Sequence, residues 1–236
     1  MTKQQEVSAV NEEFRVICEY MQSCMRDMAH DREHIWRVLA AAVDIARNIP
    51  EKVDMRILTA ACLLHDIGRQ EEDADPSLDH AAVGAEKAYH FLTGCGWSEV
   101  DAGRVRDCIA AHRYRSGCEP PATIEGKILF DADKLDVTGA VGVARTLIYE
   151  GAHNEPLYLI GADGMPSDGD LPGEESFIHE YRFKLSKLAD RFFTDYARNI
   201  ALRRKQAAEQ FYFALKSEIT ESCEMKKRLL ENWTDG

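Results

Sequence analysis

The residues of this 236-residue chain best suited to chemistry are imidazoles and carboxylates set far apart in sequence. His65 is followed at once by Asp66, His34 lies one predicted helix earlier, and Asp133, in DADKLD, comes several helices later. Two imidazoles and two carboxylates form a mixed nitrogen and oxygen donor set. Such a set suits Mn, Fe, Co, Ni or Zn and leaves room for water in an octahedral shell. A water held there would have its pKa lowered by the ion. The 7 cysteines point elsewhere, since their number is odd and no pair has CxxC spacing. A disulfide framework and a zinc ribbon are both excluded, and the thiols read as reduced core filler.

Helices must carry these groups. Val7, Val10, Phe14, Ile17, Met21 and Met25 recur at three- and four-residue steps and predict a long first helix with one apolar stripe. Asp31 is a good N-cap for a second helix, whose Ile35, Val38, Leu39, Ala42 and Ile45 keep the same period until Pro50. A third helix over about 54–66 puts His65 and Asp66 in its last turn, with Gly68 placed where a helix end calls for positive φ. Further helices are predicted at about 77–93, 98–112 and 123–150, the last broken near Val137-Thr138-Gly139. Residues 151–176 hold 5 Gly and 3 Pro and read as a long loop of the lid or mobile kind, with a short strand at Leu157 to Ile160. Helix resumes over about 175–232, with Phe183, Leu185, Leu188, Phe192, Tyr196, Ile200 and Phe211 as packing positions. The expectation is an all-α fold in one domain over 1–236: a core of about 28–150, completed by the C-terminal helices after the loop.

The set His34, His65-Asp66 and Asp133, with LLHDIG around the pair and ADKL around the last carboxylate, resembles the HD superfamily of metal-dependent phosphohydrolases. KILFDADKLDVTGAVGVART and FIHEYRFKLSKLADRFFTDYARNIALRR are similar to a bacterial subgroup that includes nucleotide-hydrolysing members. The resemblance spans roughly 28–215 and implies a helical bundle in which His34, His65, Asp66 and Asp133 hold a divalent ion (Mn, Mg, Co, Ni, Fe or Zn). Asp133 is preferred to Asp131 because the family carboxylate precedes a basic residue and Leu; Asp131 and Asp136 would lie on the helix surface or orient the ligands. Asp66 would also orient or deprotonate the attacking water. His80 and His112 fall where other branches place ligands for a second ion; the alternatives are acid/base or phosphate contact.

A net charge of −12 speaks against nucleic-acid polymers and anionic membranes as partners. Residues 177–205 nevertheless carry a local +5. Within and near it, Lys184, His179 and Arg204 are candidate phosphate contacts, as are Arg37 and Arg145, while Lys134 would pair with Asp131 or Asp136. Tyr114, Tyr149 and Tyr158 could stack on a base, and Glu71, Glu72, Asp73, Asp75 and Asp79 read as a solvated acidic loop. The expected substrate is thus a small phosphorylated compound, most naturally a nucleotide. No apolar run has the length of a membrane span and the N-terminus lacks a signal-peptide pattern, so a cytoplasmic location is expected. Two other readings stand beside this one: a di-iron oxygenase using His80 and His112, and a silent nucleotide-binding sensor. Oligomeric state is left open.

Overall fold

The computed structural model describes residues 3–25, 32–113 and 120–234, with side chains from 12 to 233. The expected cap Asp31, Tyr114, Cys118 and the side chains of Val7 and Val10 lie outside the described residues. The chain divides into two compact units: Met1–Asp136 with Phe193–Ala197, and Val137–Phe192 with Arg198–Gly236.

The first unit holds α1 (Lys3–Cys24), α2 (Arg32–Arg47), α3 (Met55–Leu64), α4 (Arg69–Ala74), α5 (His80–Gly94), α6 (Glu99–Ala111) and α7 (Ile124–Leu135). Its centre is α3, whose sequence MRILTAACLL is apolar on nearly every side and buries Ile57, Leu58 and Ala60 through Leu64. A helix of that kind needs neighbours all round, and α3 packs against α1, α2, α5, α6 and α7. Asp54 starts it by accepting from the Arg56 and Ile57 N–H groups at 3.2 and 3.3 Å. The helix ends sooner than expected. His65 is its C-cap and Asp66 sits in the turn beyond, instead of both lying in the last turn.

Gly68 also has a different reason from the expected one. Its φ is −94°, which any residue tolerates. What it provides is space: a Cβ there would lie 2.3 Å from the His80 carbonyl oxygen and 2.6 Å from the Gly84 nitrogen. Backbone-to-backbone packing therefore brings the His65-Asp66 turn against the start of α5. The acidic run is structured too. It forms α4 and its exit, where Glu71 pairs with Lys87 at 2.6 Å and Asp79 caps α5 through the Ala81 N–H at 3.1 Å.

The second unit holds α8 (Gly139–Ala152), α9 (Phe177–Phe183), a 3₁₀ segment (Leu185–Arg191) and most of α10 (Asp195–Thr234). Val143, Phe177, Ile178, Tyr181, Ala208 and Tyr212 form its core, with the Tyr181 and Tyr212 rings stacked at 4.1 Å. Phe183 and Phe211 pack at the edge of this core, 40% and 38% exposed, with Phe211 edge-on to Phe177 at 5.8 Å. Among the described residues there is no strand, and the expected one at 157–160 is reduced to a single antiparallel bridge between Ile160 and Pro166. Within the long loop the buried Glu174 carboxylate accepts from Ser167 and Ser176 hydroxyls, each at 2.6 Å. These charge-assisted bonds tie the segment to itself.

Candidate metal centre

Each of four buried histidines has one ring nitrogen tied down and the other turned inward. His65 Nδ1–H donates to the Cys62 carbonyl at 2.8 Å, and His112 Nδ1–H to the Ile109 carbonyl at 2.6 Å, both one turn back in their own helices. His34 Nδ1–H donates to Asp136 Oδ2 at 2.7 Å and His80 Nδ1–H to Glu72 Oε2 at 2.7 Å. Backbone carbonyl or carboxylate on Nδ1 fixes the tautomer, so that in the neutral ring Nε2 holds the lone pair, the arrangement that prepares imidazole for a metal.

The four Nε2 atoms converge on Asp66 from two sides. On one side His34 and His65 each place Nε2 3.6 Å from Asp66 Oδ2, and Asp133 Oδ1 lies 3.3 Å from His34 Nε2. On the other, His80 and His112 place Nε2 3.4 and 3.7 Å from Asp66 Oδ1. His34 and His65 Nε2 are 3.4 Å apart, and His80 and His112 Nε2 3.3 Å apart. Donors about 2.0–2.2 Å from a shared ion are separated by about 3–3.5 Å along the edges of its coordination shell. The spacings therefore fit one ion among His34, His65, Asp66 and Asp133, and a second among Asp66, His80 and His112.

Electrostatics favour cation uptake. Burial pushes the His65 and His80 pKa values down to about 4, so both rings are neutral at pH 7. Burial opposes ionisation of Asp66 and Asp133, but the cations and imidazoles around them hold both carboxyls well below the usual range. His34 differs. Burial lowers its pKa, yet its bonds to Asp133 and Asp136 outweigh that and raise it to about 9.

The sequence reading named the six inner residues and, among their supports, Asp136, but not Arg69 or Glu72. Arg37, expected on a phosphate, instead grips Asp136 through Nε at 2.7 Å and an Nη at 3.0 Å, so it steadies the carboxylate that orients His34. Lys134 pairs with Asp133 Oδ2 at 2.7 Å and not with Asp131 or Asp136. Asp131 neither lies on the surface nor touches a ligand; it accepts from the Phe193 and Thr194 N–H groups at 2.8 and 2.7 Å. Asp136 does orient a ligand, as expected. Arg69, whose Nε donates to Asp66 Oδ1 at 3.0 Å, and Glu72, which also binds Arg113, were not anticipated. The three-residue step from Asp66 to Arg69 was the available signal for the first; none pointed to Glu72.

Arg145, His179, Lys184 and Arg204 belong to the second unit. There His179 Nδ1–H donates to the Gly169 carbonyl at 2.6 Å, Lys184 pairs with Glu180, and the Arg204 side chain abuts Gly139. Tyr149 stacks on His153 and Tyr158 packs on the unit's core.

An all-helical unit with paired His/Asp donor groups of this kind defines the HD class, and the HD domain model matches residues 32–138. The chain belongs to the HD-domain family, whose members bind divalent metals and include hydrolases. It is 32% identical over 206 residues to the uncharacterized protein YpgQ of Bacillus subtilis strain 168, covering 85% of this chain and 90% of that one. The crystal structure of YpgQ in complex with ADP matches with a TM-score of 0.67 at 30% identity, over 87% of this chain and 97% of that one. An HD-superfamily hydrolase from Bacillus thuringiensis matches with a TM-score of 0.66 at 29% identity, over 89% and 97%. Among the described residues no helix is long and apolar enough to cross a membrane.

Proposed function

We propose that this protein is a divalent-metal-dependent phosphohydrolase acting on a small nucleotide. The convergence of four Nδ1-anchored imidazoles on Asp66 carries the reading, and the ADP complex of YpgQ supports a nucleotide as ligand. His34, His65, Asp66 and Asp133 would hold the first ion, and His80 and His112, with Asp66, would hold a second. A bound divalent ion supplies Lewis-acid polarisation of a phosphoryl oxygen and nucleophilic water at neutral pH.

The chain's own groups do the rest. Asp66 faces both donor groups and would orient or deprotonate the water that attacks phosphorus, the bond from phosphorus to the leaving oxygen breaking as the new one forms. The Nε2 atoms of His80 and His112, where no second ion is held, would accept a hydrogen bond from a water or from a protonated phosphate or leaving-group oxygen. Asp136 and Arg37 fix His34, and Glu72 fixes His80. The excess of negative charge over the whole chain disfavours polymeric nucleic acid and membranes, and fits a cytoplasmic enzyme for compact substrates.

The test is a panel of nucleoside mono-, di- and triphosphates with Mn²⁺, Co²⁺ or Mg²⁺, assayed for phosphate and pyrophosphate. Turnover that disappears in His65→Ala and Asp66→Ala is the expected result. Nucleotide binding without turnover would establish a sensor instead. Two irons per chain with oxygen consumption would establish the oxygenase reading.

A further inference from the structure

The two donor groups that share Asp66 are unequal, and a single arginine makes them so. In the first, two carboxylates, Asp66 and Asp133, face His34 and His65. The cation next to that group, Lys134, sits on Asp133 Oδ2, while Oδ1 is the oxygen turned toward His34. Lys134 therefore steadies a carboxylate from behind. In the second group, among the described residues, Asp66 Oδ1 is the carboxylate oxygen facing the Nε2 atoms of both His80 and His112, and Arg69 Nε donates to that same oxygen at 3.0 Å. The guanidinium thus occupies the lone pair and supplies the positive charge that a second ion would need to supply.

From this geometry we propose that Arg69 is a built-in cation of the second group, competing with a second metal ion for Asp66 Oδ1. The inference rests on the reading of this cluster as a metal centre. One ion binds tightly among His34, His65, Asp66 and Asp133, and a second enters only at higher free metal, when Arg69 gives up its bond. Arg69 is the first residue of α4, three residues after Asp66, and its side chain is partly solvent-accessible, so it can swing away without disturbing the helix backbone. In the one-ion form the Arg69 guanidinium keeps a positive charge beside Asp66 for an anionic phosphoryl oxygen.

The experiment counts bound ions by equilibrium dialysis against Mn²⁺ with elemental analysis, on wild type, Arg69→Met, Arg69→Lys and Lys134→Met, each checked for folding by circular dichroism. Expected are one tight and one at least tenfold weaker ion in wild type, and a second ion tightened at least tenfold in Arg69→Met. Arg69→Lys, which keeps the charge, stays within about threefold of wild type, and Lys134→Met leaves the second ion unchanged. Two equal sites in wild type would overturn the proposal, as would an unchanged second affinity in Arg69→Met while the first ion still binds. If Arg69→Met is misfolded, Arg69→Lys against wild type decides: a second ion that tightens as much in Lys as in a folded Arg69→Gln refutes a role for the charge. Binding of no ion by wild type would remove the metal-centre reading itself, and this inference with it.

Discussion

Metal uptake at neutral pH should expel one proton, and His34 should be its source. In the metal-free protein burial disfavours a charged His34, but the bonds to Asp133 and Asp136 prevail and raise its pKa to about 9. A ligating Nε2 must be neutral. At pH 7 the ring is about two units below its pKa, and removing the proton costs ~2.7 kcal/mol at ~1.36 kcal/mol per unit. That is a factor of about 100 in affinity relative to pH well above 9. The other donors of the first group give up nothing: His65 is already neutral, and Asp66 and Asp133 are already ionised. Affinity for Mn²⁺ should therefore rise about tenfold per pH unit between pH 6 and 8.5. Isothermal titration calorimetry at pH 7, in buffers of different ionisation enthalpy, should return about one proton released per ion at the tight site. An affinity flat across that range, or no proton release, would refute the reasoning.

Three further outcomes follow from particular contacts. Asp136→Asn, which loses the carboxylate on His34 Nδ1 and frees Arg37, should weaken tight-site metal affinity by about 10–100-fold, read by competition with a chelating dye. Gly68→Ala forces a Cβ against the His80 carbonyl and the Gly84 nitrogen and should cost about 2–3 kcal/mol, measured by urea unfolding. Glu150 is buried in the second unit, with Oε2 unpaired and its pKa raised to about 7 by desolvation and then by Glu155 and Glu180. With the folded value above the unfolded one, stability is full below about pH 4.5 and is lost as pH rises through 7. Glu150→Gln should then be the more stable protein at pH 8, by about 1–2 kcal/mol after solvent screening, with the difference vanishing near pH 4.5.

Much of the helical order was legible because apolar residues recur at helical period, while the caps Asp54, Asp79, Ser98 and Thr123 that start four of the helices were recognised as caps only in the structure. The break between α7 and α8 was legible in Val137-Thr138-Gly139. Inner residues could be picked out because His-Asp adjacency is a local signal and the remaining members follow a recognisable family pattern. Asp136, the partner of His34 102 residues away, was named only as one of two carboxylates that would orient ligands or lie on the surface, and Glu72, the partner of His80, was missed because it is part of an acidic run that looks like any solvated loop. Gly68 shows the same limit: glycine in sequence marks either a backbone angle or a lack of space, and only the approach of α5 distinguishes the two. Charge alone misled for Arg37, which its carboxylate partner Asp136 holds in place, while Lys134 pairs with its neighbour Asp133 in place of Asp131 or Asp136.

Donors to the centre come from α2, the turn after α3, α5, the end of α6 and α7, so no short segment of the chain can hold an ion as the folded unit does. Occupancy is therefore a clock for the whole of α2–α7. Each tight ion adds stability by mass action, growing as RT ln(1 + [ion]/Kd), to every helix at once. Transfer of a bound ion to an excess of chelator, followed in time under increasing denaturant, would report how fast the entire helical assembly comes apart.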